Sequence, residues 1–433
     1  MTLRGDTTAD LEPTRPDAPL APRLLLLFSG TAILRKPFVI PLPMAPLTIG
    51  RSAVDVHPIL GDDTRMSREH AVVIYDPLHQ KVRLRDAGSR NGTFHNGAQI
   101  SETVLADGDV IRLGNSLFLY RPAGEPAGDA PTARLIGHSA AAARLRKRLA
   151  QVAKSGSSIL FLGETGTGKE VAARYVHDLS RPSAPFVAIN CTAVPETLAE
   201  SQLFGHTKGA FTGAQAHPGF FRAAGDGTLL LDEIGDLQPS LQPKLLRVLE
   251  ERLVFPVGSV SGQPLLARLL FSTNCNLLDA VRAGKFRGDL YARIAEIIVE
   301  LPPLRDRRED IFELLQQGSQ SEPTINLPAS LAEVLLLHSW PFNVRELVKL
   351  AAELTTTGDA VGIEARLRSQ KGPPASPRLS PSQEADPRRK QLLELLQQHR
   401  GNVAAIARVL DCPRKNIYRW LEDFGIDLDA YRD

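Results

Sequence analysis

Gly163-Glu164-Thr165-Gly166-Thr167-Gly168-Lys169 sets glycines and a lysine in the GxxxxGK spacing, followed by Glu170. In that spacing backbone N–H groups close on phosphate oxygens, and the lysine reaches the terminal phosphates. The apolar run at 158–162 reads as a strand and 171–179 as a helix. The loop therefore ends at a helix N-terminus, which favours anions. Downstream, Leu229-Leu230-Leu231 reads as a buried strand that delivers Asp232 and Glu233 to a sheet edge. Two carboxylates there suit one magnesium ligand and one group that polarises water. Glu170 stands where the general motif has a Ser or Thr hydroxyl for the metal, so metal binding would rest mainly on the acidic pair. The chemistry implied is hydrolysis of a nucleoside triphosphate with Mg2+.

Positioning those groups requires a parallel sheet. Helical patterns at 141–152 and 171–179 alternate with strands at 158–162 and 186–189, the mark of an α/β domain. Ahead of it, residues 23–121 hold short apolar or alternating stretches separated by turn clusters such as Gly88-Ser89-Arg90-Asn91-Gly92 and Asn96-Gly97. Regular short strands with Asn-Gly turns predict an all-β sandwich. Residues 1–22 read as a disordered tail, 122–133 and 371–386 as linkers, and 387–433 as a small all-α unit. The expected architecture is thus multidomain.

The chain has 433 residues, 51 basic and 49 acidic. A net charge of +2 carries no global polyanion signal, so any DNA contact must come from a local basic patch. Three dispersed cysteines, Cys191, Cys275 and Cys412, exclude a disulfide framework or a cysteine metal cluster and read as reduced thiols. The run Leu24–Phe28 is too short to span a bilayer. With no targeting segment visible, a cytoplasmic protein without membrane contact is expected.

Between the two nucleotide motifs lies Gly209-Ala210-Phe211-Thr212-Gly213-Ala214, within the longer run from Glu200. This is the GAFTGA signature, and residues 134–365 resemble AAA+ activators of sigma-54 RNA polymerase. Read from composition alone, the hexapeptide is a surface loop exposing one aromatic and one hydroxyl. The resemblance implies that it contacts sigma-54, that Asp232 holds magnesium, and that Glu233 activates water. It also implies that Asn190 is a switch asparagine restraining Glu233, and that Asn274 is a sensor of the γ-phosphate. Arg287 and Arg293 would be fingers reaching a neighbouring subunit's nucleotide in a homo-oligomeric ring. The AAA+ core would span 134–304 and a helical lid 305–370, with Arg345 on the phosphates. Two departures stand out: Phe342 occupies the usual glycine of WPGNVREL, and the stretch from Asp310 to Trp340 is short for a lid.

In the N-terminal sandwich, Arg51, Ser67, Arg68, Arg90 and Asn91 gather guanidinium, hydroxyl and amide groups on loops. That set suits a dianionic phosphate on a peptide. The segment 23–121 resembles the FHA domain, which implies that Arg51, Ser67 and Arg68 grip a phosphothreonine flanked by Arg90 and Asn91. His70 reads as a brace of the loop. At the C-terminus two helices across the turn Asp411-Cys412-Pro413 form a helix-turn-helix. Arg414, Lys415, Asn416 and Arg419 on the second helix can reach phosphates or base edges, and the unit resembles a Fis-type DNA-binding domain. Taken together, the expectation is an ATP-hydrolysing, double-stranded-DNA-binding activator that remodels the sigma-54 polymerase closed complex. Its input would be a phosphothreonine-containing protein. The alternative is a phosphopeptide-dependent DNA-binding scaffold without productive ATPase.

Overall fold

The computed structural model describes residues 21–370 except 31, 53–57, 125–131, 133, 211–214 and 319–324. Beyond these it describes 392–393, 395–396, 399, 402–410 and 417. Two compact units emerge, Met1–Ser369 and Gln370–Asp433.

Ten strands build the first layer pair: β1 (Arg23–Ser29), β2 (Ala32–Pro41), β3 (Leu47–Ile49), β4 (Ala71–Asp76), β5 (Lys81–Asp86), β6 (Thr93–His95), β7 (Ala98–Ile100), β8 (Glu102–Leu105), β9 (Val110–Leu113) and β10 (Ser116–Arg121). A six-stranded sheet ordered β2-β1-β10-β9-β6-β7 faces a four-stranded sheet ordered β3-β4-β5-β8. β4 and β5 alternate buried and more exposed positions, as expected for sheet with one face on the core. β1 does not alternate: all seven residues are buried. Leu24 and Leu26 point into the sandwich with Phe118, Tyr120, Ile111 and Leu113. Leu25, Leu27, Leu117, Leu119 and Val110 point the other way, into a second core.

The α/β layer contains α1 (Ala140–Ala153), β11 (Ile159–Leu162), α2 (Lys169–Ser180), β12 (Phe186–Asn190), α3 (Glu196–Phe204), α4 (Gly219–Ala223), β13 (Thr228–Asp232) and α5 (Gln242–Glu251). A small hairpin of β14 (Leu253–Val254) and β15 (Gln263–Pro264) follows, then β16 (Arg268–Thr273), α6 (Leu277–Arg282), α7 (Gly288–Ile294) and β17 (Ile297–Glu300). The five-stranded sheet is parallel and ordered β12-β13-β16-β11-β17. Its central strands β13, β16 and β11 are buried almost throughout and carry the apolar runs Leu229–Leu231, Leu269–Phe271 and Ile159–Leu162, as burial on both faces demands. The carboxyl ends of β11 and β13 lie in the region where such sheets bind ligands.

The lid comprises α8 (Ile311–Gly318), α9 (Ala329–Leu337), α10 (Asn343–Thr357) and α11 (Ala360–Ser369). The core that receives the outer face of β1 and β10 is the lid's own: Phe312, Leu315, Leu331, Leu335 and the fully buried Trp340 belong to it. The sandwich and lid are therefore packed together, so residues 122–133, read above as a linker, are not all that joins the two modules. The short lid is completed by a β-sheet face. Partly buried polar contacts accompany the apolar ones. Arg121 pairs with Glu309, Arg112 Nε lies 2.9 Å from Glu333 Oε2, and Arg308 Nη1 donates to the Gly108 carbonyl at 2.6 Å.

In the second unit a helix, α12 (Val403–Val409), shares an apolar cluster with Leu392, Leu395, Leu396 and Ile417. Arg414, Lys415, Asn416 and Arg419 lie outside the described residues. No helix among the described residues is long and apolar enough to cross a membrane.

Candidate nucleotide site and phosphopeptide loops

The loop 163–168 turns from β11 into α2, with Gly166 at φ +80° and Gly168 at φ +103°. A side chain at Gly166 would strike the Phe342 carbonyl oxygen and come within 3.0 Å of the Arg345 Cβ. That closeness is used: the Gly166 carbonyl accepts the Val344 N–H at 3.0 Å, joining loop to lid. Lys169 is nearly buried, donates to the Gly163 carbonyl at 3.0 Å and lies 3.4 Å from Glu233 Oε1.

The other loop side chains divide between bracing and binding. The Glu164 carboxylate receives Arg305 at 2.8 and 2.5 Å and Asn343 Nδ2 at 3.1 Å. It ties the loop to the lid. The buried Thr167 hydroxyl donates to the Glu164 carbonyl at 2.8 Å, and the Thr167 carbonyl accepts Arg307 at 3.0 Å. Glu170 is held outward by Arg174, one turn along α2, at 2.9 and 3.1 Å. Thr165 Oγ1 accepts from Asn274 Nδ2 at 2.9 Å, which draws Asn274, at the end of β16, to the phosphate loop.

Asp232 ends β13, where its Oδ1 accepts the Ser272 hydroxyl at 2.6 Å. Glu233 follows at φ +52°, in the left-handed region, and its Oε2 accepts the Asn274 N–H at 3.0 Å. The two carboxylates thus have separate holders, and oxygen donors of this kind fit a magnesium ion. Asn190 registers beside Asp232 across the sheet. Its Oδ1 accepts the Thr192 N–H and hydroxyl at 2.8 and 2.6 Å, so here the side chain braces its own turn and does not hold Glu233.

Thr165, Gly166, Gly168, Lys169, Glu170, Asp232, Glu233 and Arg345 line one cleft of about 490 Å³, with Val171, Val344, Val348 and Lys349. The volume is in the range of small-ligand sites, ~300–1,000 Å³. Lys349 is a cation the motifs did not reveal. It lies four residues after Arg345 on α10, the spacing that puts two side chains on one helix face. Arg305, Arg307 and Asn343 were also missed, because their partners lie about 140 or more residues away in the chain. Phe342 takes an ordinary φ of −111°. The positive φ values nearby fall on Trp340 and Asn343, at +53° and +51°, so no glycine is required at 342.

Neither Arg287 nor Arg293 lines this cleft. Arg287, at the start of α7, forks onto Asp289 at 3.0 and 2.6 Å. Arg293 lies 3.4 Å from Glu296 and 3.4 Å from the Leu249 carbonyl. Of the GAFTGA run, Gly209 and Ala210 are described, while Phe211, Thr212, Gly213 and Ala214 lie outside the described residues. Its base is closed by reciprocal backbone bonds between His206 and His217 at 2.9 and 3.0 Å, with the rings stacked.

In the sandwich, the Arg51 N–H donates to the Ser67 carbonyl at 2.8 Å, and Ser67 Oγ accepts the Arg90 N–H at 3.0 Å. Asn91 Nδ2 donates to the Arg65 carbonyl at 2.6 Å. Arg51, Ser67, Arg90 and Asn91 are thereby gathered, with Arg68 beside them in sequence. A side chain on Gly50 would overlap the Arg68 carbonyl, so glycine there permits the close approach. His70 is the brace: fully buried, its Nδ1 accepts the Ser67 N–H at 3.0 Å and its Nε2 faces the Gly92 carbonyl at 3.1 Å.

The bond pattern requires neutral His70 protonated at Nε2. Burial pushes its pKa below 6.5, against the opposing pull of the Gly92 carbonyl. The unfolded chain therefore binds more protons than the folded one just below pH 6.5, and stability falls as pH drops through that window. Protonated His70 cannot accept from Ser67. The protection factor of the Ser67 amide, read by hydrogen exchange, should fall on acidification below pH 6.5; unchanged protection down to pH 5 would contradict the brace.

Comparison with known proteins places these features. Residues 135–300 match the sigma-54 interaction domain and residues 47–114 the FHA domain. The chain is 37% identical over 314 residues to the acetoin dehydrogenase operon transcriptional activator AcoR of Bacillus subtilis, covering 68% of this chain and 51% of that protein. It is 48% identical over 224 residues to the sigma54-dependent transcriptional activator SfnR of Pseudomonas putida, covering 50% and 61%. The chain thus spans between half and two thirds of these relatives. Among solved structures, NtrX from Brucella abortus in complex with ADP is similar at 29% identity and a TM-score of 0.51, with 67% of this chain and 70% of that one covered.

Proposed function

We propose, from the premise that this chain carries a sigma-54 interaction domain of the AAA+ ATPase class together with an FHA domain, that it is an ATP-driven activator of sigma-54 transcription. The observation that carries the reading is one cleft bringing Lys169, Asp232, Glu233 and Arg345 together below the lid. Lys169, Arg345 and Lys349 neutralise the phosphates of ATP, and Asn274 reports their presence to Glu233 through its own N–H. Asp232 holds Mg2+, which when bound supplies positive charge against the phosphate oxygens. Glu233 takes the proton of the attacking water. Arg287 and Arg293 complete the site of the neighbouring subunit in a ring.

The Phe211–Thr212 loop carries the resulting motion to sigma-54, and residues 387–433, through Arg414, Lys415, Asn416 and Arg419, hold the ring at an upstream DNA element. Arg51, Ser67 and Arg68 receive a phosphothreonine, whose dianionic phosphate suits clustered guanidinium and hydroxyl donors. The setting is cytoplasmic. Of the two departures behind the scaffold alternative, Phe342 and the short lid, the first takes an ordinary φ of −111°.

Thr212→Ala separates motor from output. With purified sigma-54 holoenzyme and a promoter fragment, the full chain should form heparin-resistant open complexes only with hydrolysable ATP. The variant should keep ATP turnover and lose open-complex formation by about tenfold or more, the loss of a contact worth ~1.4 kcal/mol. A variant that opens promoters like the wild type would remove the loop from the mechanism, and a wild type without ATP turnover would restore the scaffold reading.

A further inference from the structure

One short segment, 304–310, stands between the FHA sheet and the phosphate loop and bonds to both. Toward the loop, Arg305 forks onto the Glu164 carboxylate and Arg307 donates to the Thr167 carbonyl. Toward the sandwich, Glu309 receives Arg121, the last residue of β10, and the Asp306 carbonyl accepts from the same guanidinium at 3.5 Å. Arg308 donates to the Gly108 carbonyl in the turn between β8 and β9. Arg121 and Glu309 are 17% and 7% exposed, so the pair is shielded from solvent screening. A second pair, Arg112 with Glu333 on α9, also joins sandwich to lid, and the Arg112 guanidinium lies 3.7 Å above the Phe94 ring of β6.

We propose that the FHA domain is a positioning element of the nucleotide site: Arg121, acting through Glu309, fixes the segment whose Arg305 and Arg307 hold the phosphate loop. The proposal rests on the reading that the cleft binds ATP. Removing Arg121 takes the hydrogen-bonding guanidinium from buried Glu309, leaving Arg23 and Arg308 as the cations near it, and the segment relaxes toward water. Arg305 and Arg307 then hold Glu164 and the Thr167 carbonyl less firmly, and the loop spends less time shaped for phosphate. Arg121 touches no nucleotide, so the effect falls on substrate binding more than on the chemical step. By reciprocity, nucleotide that orders the loop also tightens the FHA strands that face the lid.

The test uses the full chain. Arg121→Gln should raise the KM for ATP about 5–30-fold while kcat changes less than about threefold. Arg121→Lys, which keeps the charge at Glu309, should recover most of the loss. A structural role alone would lower the melting temperature without splitting KM from kcat. In the wild type, the slowly hydrolysed analogue ATPγS should slow amide exchange in residues 110–121, remote from the cleft; this measurement needs no variant and stands even if Arg121→Gln does not fold. A folded Arg121→Gln protein with wild-type KM overturns the proposal, as does protection by ATPγS confined to residues 134–369. A wild type that fails to bind ATPγS overturns the nucleotide reading and this proposal with it, whereas binding without coupling overturns only the proposal.

Discussion

Arg293→Ala should retain ATP and lose hydrolysis, with turnover falling by about 10³–10⁵, the range measured when arginine fingers are removed. Within one chain Arg293 does nothing for the cleft: it reaches Glu296 and the Leu249 carbonyl, and it does not line the site. A guanidinium about half exposed and held by two contacts of 3.4 Å is weakly committed at home. Exposed pairs of this kind contribute about 0–1 kcal/mol, so it can leave them for a neighbour's phosphate. The in-trans role has a direct check. Lys169→Ala subunits cannot grip phosphate but keep Arg293, while Arg293→Ala subunits keep the cleft and lack the finger. In a one-to-one mixture about a quarter of ring interfaces join a competent cleft to a competent finger. Activity should therefore appear on mixing two inactive proteins. Mixtures as inactive as their components, with wild-type turnover flat across the range where the oligomer dissociates, would sink the assignment.

Much of the nucleotide site was legible because its information is local. The phosphate loop, its strand and its helix are contiguous in sequence, and β11 and α2 fall within a residue or two of the expected boundaries. Asp232 and Glu233 follow a run of three leucines that could only be a buried strand. What was not legible depends on distant partners. Arg305, Arg307 and Asn343 look like ordinary polar lid residues until the fold brings them to residues 164–167.

The docking of sandwich on lid did leave a signal. A strand with one face on water alternates, as β5 does with buried Val82 and Leu84 between exposed neighbours. Leu24 to Phe28 and Leu117 to Tyr120 are apolar without interruption, and adjacent strands of that kind need cover on both faces. Read that way, the first strand already states that something packs on the outside of the sandwich. Which element does so is a long-range fact: the lid's Phe312 and Leu335 lie about 300 residues from β1 and carry no mark of it in their own pattern. The shortness of the lid and the double burial of β1 are two halves of one arrangement.

Glu233→Gln should bind ATP and hold it, with the hydrolytic step slowed by about 10²–10⁴, the usual contribution of a positioned general base. The amide preserves volume and keeps a carbonyl oxygen able to accept the Asn274 N–H, now 3.0 Å from Oε2. The left-handed backbone at φ +52° is the same for either side chain. What the substitution removes is the basic oxygen and the charge facing Lys169 at 3.4 Å. Freed of that carboxylate, its ion-pair partner among the described residues, Lys169 is left to pair with the phosphates. ATP affinity should then be equal to or greater than that of the wild type even as turnover collapses. This opposite movement separates a base from a structural acid, since a variant that merely disordered the loop would lose affinity and rate together. Filter retention of labelled ATP and a single-turnover time course read the two quantities on one preparation. If Glu233→Gln hydrolysed ATP at the wild-type rate, the proton would have to go elsewhere. The other carboxylates lining the cleft are Glu170, held outward by Arg174, and Asp232, whose Oδ1 already accepts the Ser272 hydroxyl at 2.6 Å.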